Sequence, residues 1–209
     1  MSLQKPTKTT KEKIFDVSLD LFSEKGFDAV SIREIARGVG IRESSIYNHY
    51  SNKEAILDSI LDFFIDEMEK SSITDEQMDL LMEESPEMFY HAGSKMFEEK
   101  MNDPHMIKIW RLVLIEMYHN PKIREFFLKE LIEAPIKAWT IIFSVMMEKK
   151  LIKQADPERL AKTYFGYAIY LLIENFVLKY PDEPEKFIRV MFDDMEEHMN
   201  LILEGLKIE

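Results

Sequence analysis

Apolar positions along this chain recur with the period of a helix, not that of a strand. Ile14, Val17, Leu21 and Phe22 fall at three- and four-residue spacing, as do Ile32, Ile35, Ala36 and Val39, and side chains so spaced share one helical face. The polar residues between these stripes mark the helix starts. Thr9-Thr10-Lys11-Glu12, Ser31-Ile32-Arg33-Glu34 and Ser51-Asn52-Lys53-Glu54 each fit a capping box, and Thr74-Asp75-Glu76-Gln77 is its glutamine version. In that motif the hydroxyl accepts from the third backbone N–H and the acidic or amide side chain reaches back. Asp103-Pro104, Asn120-Pro121 and Asp156-Pro157 set a capping side chain before a proline, whose missing N–H costs nothing at the first helical position. Stripes and caps together predict helices over residues 10–25, 31–38, 42–49, 53–70, 75–101, 104–119, 121–150, 157–180 and 184–206. Pro86 and Pro135 lie inside two of these spans and must kink or split them. No alternating run bounded by turns competes.

The predicted fold is therefore all-α. A three-helix head occupies residues 1–52, with residues 1–9 as a flexible basic arm, and a helical bundle occupies residues 53–209. Composition agrees with this: only six glycines occur in 209 residues and 14 methionines do, whereas β-rich chains need more turn residues. The absence of cysteine removes disulfides, thiolate metal sites and cysteine nucleophiles. No apolar run approaches the roughly 20 residues of a membrane span, and the polar start MSLQKPTKTTKEK predicts no signal peptide, so the expected location is the cytoplasm and no membrane partner is expected. There is no phosphate-cradling glycine loop and no His-Glu-x-x-His. Glu116-Met117-Tyr118-His119 is a single Glu-x-x-His, the unit of which a helical two-metal site needs two copies. No catalytic residue, metal or cofactor is expected. A helical-bundle enzyme or metal-carboxylate protein without DNA function is the alternative class.

The net charge of -12 hides an asymmetry. Residues 1–57 hold nine Lys/Arg and eight Asp/Glu, a net +1, which leaves -13 on the remainder. A near-neutral head on an acidic body orients the molecule toward a polyanion. The head also contains SIREIARGVGIRESSIYNHYSNKEAI, residues 31–56. Two short amphipathic segments flank Gly40, which tolerates the positive φ of a tight turn, and small Ala36 suits two closely crossing helices. This is the layout of a helix-turn-helix, whose second helix enters the major groove. Ser44 and Ser45 allow close approach and can bond bases or phosphates; Asn48 can pair with adenine and Arg42 with guanine. Tyr47, His49 and Lys53 suit phosphates.

The order Ser31-Ile32-Arg33-Glu34-Ile35-Ala36, Gly40-Ile41 and Ile46-Tyr47-Asn48-His49-Tyr50-Ser51-Asn52-Lys53-Glu54 resembles the DNA-binding signature of the TetR family of transcriptional regulators. Glu24-Lys25-Gly26-Phe27 followed by Ala29-Val30 resembles the family's run into that signature, so the likeness covers about residues 10–57. Carried over by position, the resemblance implies that Ser31 caps the second helix and touches a phosphate. Tyr47 and Lys53 resemble phosphate contacts; Arg33, Arg42, Ser44, Ser45, Asn48 and His49 complete the implied DNA-binding set. Tyr50 stands where the family usually has Phe and is expected beneath the reading helix. Arg42 departs from the capping Ser often found there, and an arginine cannot cap. Ser44 departs from a frequent Gly.

The body is rich in Met and aromatic residues, which serve a core or an adaptable small-molecule pocket. Phe89, Met96, Trp110, Glu116, Trp139, Phe143, Tyr167 and Asn175 are the candidates for a pocket that takes an apolar or aromatic effector. Wide apolar stripes on the last two helices (Leu160, Tyr164, Tyr167, Ala168, Leu171, Phe187, Met191, Met195, Met199, Ile202) predict a four-helix bundle with a symmetry mate, and the resemblance implies such a homodimer. The resulting expectation is a repressor on a palindromic double-stranded operator, released when an effector moves the helix that begins at Lys53.

Overall fold

The computed structural model describes residues 8–70, 74–179 and 184–208, with the side chains of residues 75, 78 and 184–187 left aside. Residues 1–7 of the basic arm, the end of the 157–180 span at Tyr180 and the side chain of Phe187 thus lie outside the described residues. Within them the chain is helical and carries no strand. The helices are α1 Thr10–Lys25, α2 Ile32–Val39, α3 Glu43–Ile46, α4 Lys53–Glu69, α5 Asp75–Glu84, α6 Pro86–Met101, α7 Pro104–Glu116, α8 Pro121–Leu128, α9 Ala134–Glu148, α10 Pro157–Ile173 and α11 Pro184–Gly205.

The caps are formed much as the sequence writes them. Thr9, Ser31 and Thr74 each complete a capping box, and Asp103, Asn120 and Asp156 cap the three proline-initiated helices. One start moves by a residue: Asn52, not Ser51, caps α4, accepting from Ala55 N–H at 2.8 Å.

The two interior prolines act differently. Pro86 splits its predicted helix. Ser85 ends α5 in an extended conformation and caps α6 through Met88 N–H, so Pro86 becomes a harmless first residue. Pro135 leaves the rod continuous, but a π-helical turn, Lys129–Glu133, precedes it. There Ala134 N–H reaches back to the Lys129 carbonyl, a five-residue register that absorbs the donor proline lacks. A second π-turn, Glu174–Leu178, follows α10.

In the head, Phe22, Ile35, Ala36, Ile46, Tyr50, Ile56 and Leu57 are buried, and Phe22 meets Phe27 edge to face at 5.1 Å. Helix α1 buries a second face as well, Leu19 and Ser23, and it packs on α7 in addition to α2. The sequence stripe showed only the first face. Asp16 and Asp20 of α1 pair with His105 and Lys108 of α7 along this seam. Ion pairs Lys122–Asp58 and Lys100–Glu67 tie α4 to α8 and α6. In the body, α9 and α10 pack side by side, and α11 packs on α6 and α10.

Candidate nucleic-acid interface

The face that could meet a duplex is assembled from α2, α3 and the start of α4. Helix α2 ends at Gly40, whose φ of 79° is left-handed and whose N–H bonds to the carbonyls of Ala36 and Arg37. The chain then turns into α3, which is shorter than the predicted 42–49: it spans Glu43–Ile46 and loosens into turns to His49. Arg42 occupies the N-cap with no side-chain hydrogen bond, as its chemistry requires, so the orphan N–H groups of the first turn lack a cap.

Burial sorts the residues of α3 and of its flanking turns cleanly. Ile46 and Tyr50 are buried in the head core, while Arg42, Ser44, Tyr47, Asn48 and His49 are exposed and Ser45 is half-buried. Tyr47 is 52% exposed although aromatic, the arrangement of a ring held out to a partner. Arg33 and Arg42 are exposed and join no ion pair among the described residues, whereas Arg37 and Lys25 both lean on Glu34. The backbone N–H of Ser31 first, then the Lys25 ammonium, holds the Glu34 carboxyl below its usual range. Glu34 therefore stays ionised and locks the N-terminus of α2.

Lys53 is placed with more constraint than its sequence position suggests. Its ammonium donates to the carbonyls of Phe27 at 2.7 Å and Val30 at 2.9 Å, and stands 4.2 Å from the centre of the Phe27 ring. Val30 directly precedes Ser31, so this lysine brings the N-termini of α2 and α4 together. Two of its three N–H groups are engaged and one is left for a ligand.

The other side of the same turn is held from the body. Glu116, at the end of α7 and 6% exposed, accepts from Phe27 N–H at 2.8 Å. Gly26 makes room for it: its φ of 85° and ψ of 157° suit glycine alone, and a Cβ there would stand 2.6 Å from the Glu116 carboxylate. Sequence reasoning missed this contact because its partners lie 89 residues apart. The one available signal is an acid in the apolar run IWRLVLIEMYH. With its carboxylate on the head's backbone, Glu116 does not make a metal half-site with His119, and no group of three or more metal-ligating side chains occurs among the described residues.

The remaining pocket candidates do not converge on one place. Trp139 and Phe143 join Tyr90 and Tyr164 in an aromatic cluster, with centroids 4.7–5.9 Å apart, and Tyr167 reaches it through His198 at 4.6 Å. The Tyr90 and Tyr164 hydroxyls are 3.2 Å apart, and burial pushes both phenols up, Tyr164 well above its usual value. Phe89 is buried in the core. Trp110 instead packs on Phe64 beneath the head. Met96 is 40% exposed, on a surface hollow with Glu67, Lys70, Glu99 and Lys100. Asn175 lies in the π-turn, where its amide donates to the Leu171 carbonyl at 2.8 Å, an oxygen that also accepts from Glu174 N–H.

The family model for the bacterial regulatory proteins of the tetR family matches residues 14–60, which runs from α1 into α4. The chain is 42% identical over 60 residues to the biofilm operon icaADBC HTH-type negative transcriptional regulator IcaR of Staphylococcus epidermidis, covering 27% of this chain and 32% of that one. It is 36% identical over 58 residues to the HTH-type transcriptional repressor KstR2 of Rhodococcus jostii, covering 28% of each. The chain thus spans under a third of the length of these curated relatives. A structure assigned to the TetR family of transcriptional regulators, from Mesorhizobium loti, superposes with a TM-score of 0.65 at 18% identity over 95% of this chain and 98% of that one, a likeness of fold across head and body alike. Residues 14–60, seated on a helix-turn-helix, thus match the DNA-binding part of the tetR family of bacterial regulatory proteins, and the whole length shares the fold of a structure assigned to that family.

Proposed function

We propose that this protein is a ligand-responsive transcriptional repressor that binds a palindromic operator as a homodimer. The observation that carries this reading is the sorting of α3 and the turns that flank it: Ile46 and Tyr50 face inward while Arg42, Ser44, Tyr47, Asn48 and His49 stand free. A structural helix in a small bundle gains nothing from holding the Tyr47 ring in water. Arg42, Ser44, Ser45 and Asn48 read base edges, and Arg33, Tyr47 and His49 meet the phosphates beside them. Ser31 and the third N–H of Lys53 sit at the adjoining N-termini of α2 and α4, where the helix dipoles favour a phosphate.

The dimer forms through α10 and α11. Tyr170, Ile173, Val177, Val190 and Leu201 are large apolar residues exposed on these two helices and the π-turn between them, more than a soluble surface carries without a partner. The effector is an apolar or aromatic small molecule, and the Tyr90–Trp139–Phe143–Tyr164 cluster with Tyr167 is the part of the body best suited to it. The repressor acts in the cytoplasm and catalyses no reaction; no helix among the described residues is long and apolar enough to cross a membrane. Effector occupancy shifts α7 relative to α4, and the turn gripped by Glu116 and Lys53 transmits the shift to α2. A ligand does this only if it prefers the released state.

Selection of bound sequences from a random duplex pool tests the reading. The expected product is an inverted repeat with half-sites about one helical turn apart, bound with an affinity that falls steeply with salt. An unenriched pool, or a single half-site with no repeat, refutes it.

A further inference from the structure

The joint between head and body contains a feature that operator binding does not use. A groove of about 500 Å3 runs between α1 and α4 and reaches His105 on α7, within the roughly 300–1,000 Å3 of small-molecule sites. Its floor is aromatic. Phe15 of α1, Phe63 of α4 and His105 of α7 form a closed triangle with centroids 5.3, 5.9 and 5.7 Å apart, each pair edge to face. Tyr50 adds a further ring, and the ammonium of Lys11 already stands 5.6 Å from its centre. Aromatic faces present a negative quadrupole to a cation.

The rim has the same preference. Glu12, Asp16, Asp62 and Asp66 line the groove against Lys8 and Lys11. Asp16 is engaged by Lys8 at 2.6 Å and His105 at 2.9 Å, and Glu12 by Thr9. Asp62 and Asp66, one turn apart on α4, are exposed and join no ion pair among the described residues. Two carboxylates outside any ion pair among the described residues therefore border a floor of three rings.

The geometry points to a binding site for an organic monocation with an aromatic body, its charge beside Asp62 and Asp66 and its apolar part on the Phe15–Phe63–His105 floor. A neutral molecule of the same shape gains the floor without the rim, and an anion is repelled by the rim. The walls belong to α1, α4 and α7, so an occupant ties the head's first helix to the two body helices beneath it. This site is separate from the Trp139 cluster.

Isothermal titration of the full chain tests the site with three probes: benzyltrimethylammonium, its neutral isostere neopentylbenzene, and phenylacetate. The expected result is saturable binding of one cation per chain, at least tenfold weaker binding of the isostere, and none of phenylacetate. The double variant Asp62→Asn/Asp66→Asn changes two exposed side chains and leaves the core alone. It should lose about tenfold in cation affinity, and the parent's affinity should fall with salt, as expected of exposed charges. Phe63→Leu, which keeps an apolar side chain but removes the ring, should weaken binding as well. Ring resonances of Phe15, Phe63 and His105 should shift on titration. Equal affinity for the isostere, an unaltered double variant, or shifts confined to the Trp139 cluster would overturn the proposal. No DNA enters the experiment, so its failure and the failure of the operator-binding reading are told apart.

Discussion

Replacing Glu116 tests whether the body holds the head through one carboxylate. Phe27 and Glu116 are 5% and 6% exposed, so water cannot replace either partner of the 2.8 Å hydrogen bond between them. A hydrogen bond to a charged group contributes about 1.5–3 kcal/mol, and a buried N–H left without an acceptor costs about 1–3 kcal/mol. Glu116→Ala should therefore destabilise the chain by about 2–3 kcal/mol. Glu116→Gln keeps a carbonyl oxygen for Phe27 N–H and should cost about 1 kcal/mol. Gly26 supplies the cross-check. Gly26→Ala meets an unfavourable backbone at φ 85° and a Cβ contact of 2.6 Å with the carboxylate, and such a backbone alone costs about 1–3 kcal/mol. The contact vanishes once residue 116 is alanine, so the two substitutions should combine for less than their sum, by about 1 kcal/mol. Urea unfolding followed by circular dichroism measures all four chains, the shift in midpoint at constant slope giving the energy. Equal costs for the Ala and Gln variants, or strict additivity with Gly26→Ala, would refute the reasoning.

Four further outcomes follow from the same geometry. Arg42→Ser supplies the missing cap of α3 and should raise thermal stability by about 0.5–2 kcal/mol, while changing the base preferred at one operator position in binding-site selection. Asn48→Ala should relax specificity at one base pair, whereas Lys53→Ala should weaken all sequences alike and lower the salt slope by about one; because Lys53 also holds two carbonyls, its unfolding midpoint should fall too, which Asn48→Ala leaves in place. Burial alone would raise the Asp16 carboxyl, but hydrogen bonds from Lys8 and His105 outweigh it and hold the group below its usual value of 3.8; its stabilising effect is therefore present above that value and lost as pH falls through the lowered one, so Asp16→Asn should flatten the stability profile below about pH 4 and leave pH 5–8 unbent. Tyr170→Glu combined with Leu201→Glu puts charge into the apolar face of α10 and α11 and should yield monomers in sedimentation, with operator affinity lost alongside.

Local chemistry made most of the fold legible. Caps at Thr9, Ser31, Thr74, Asp103, Asn120 and Asp156 are interactions within three residues, so the sequence displays both partners at once. The left-handed Gly40 and the uncapped Arg42 were legible for the same reason. The π-turns were not, because the first rests on Ala134 N–H reaching the Lys129 carbonyl just before Pro135 and the second holds Asn175 on the Leu171 carbonyl, and helical periodicity barely changes over five residues. The candidate site shows the same division. Which side chains of α3 are exposed follows from the position of Ile46 and Tyr50, but the lodging of Lys53 on Phe27 and Val30 joins elements 23 and 26 residues apart. The body was least legible: a Met- or aromatic-rich stripe looks the same whether it faces a neighbour, a ligand or a second chain, and Trp110, Met96 and Trp139 end in three different surroundings.

The turn from Phe27 to Val30 gives the charge distribution a mechanical sense. Lys53 holds its carbonyls from α4 and Glu116 holds its N–H from α7, and the next residue is Ser31, the cap of α2. A body that moves α7 relative to α4 cannot keep both grips at their present lengths; it must release one or tilt α2. Of the two, the Glu116 contact is the more deeply buried and so the more costly to break without replacement. Tilting α2 with the turn is then the easier response, and α3 follows because Gly40 and Ile41 tie it to the Ala36 carbonyl. In a dimer this rotation changes the separation of two reading helices, and affinity depends on both being in register with the grooves. A head with a net charge near +1 gains little from unspecific attraction to phosphate. Under the proposed function its binding would depend on that register and would respond to a small displacement of α7.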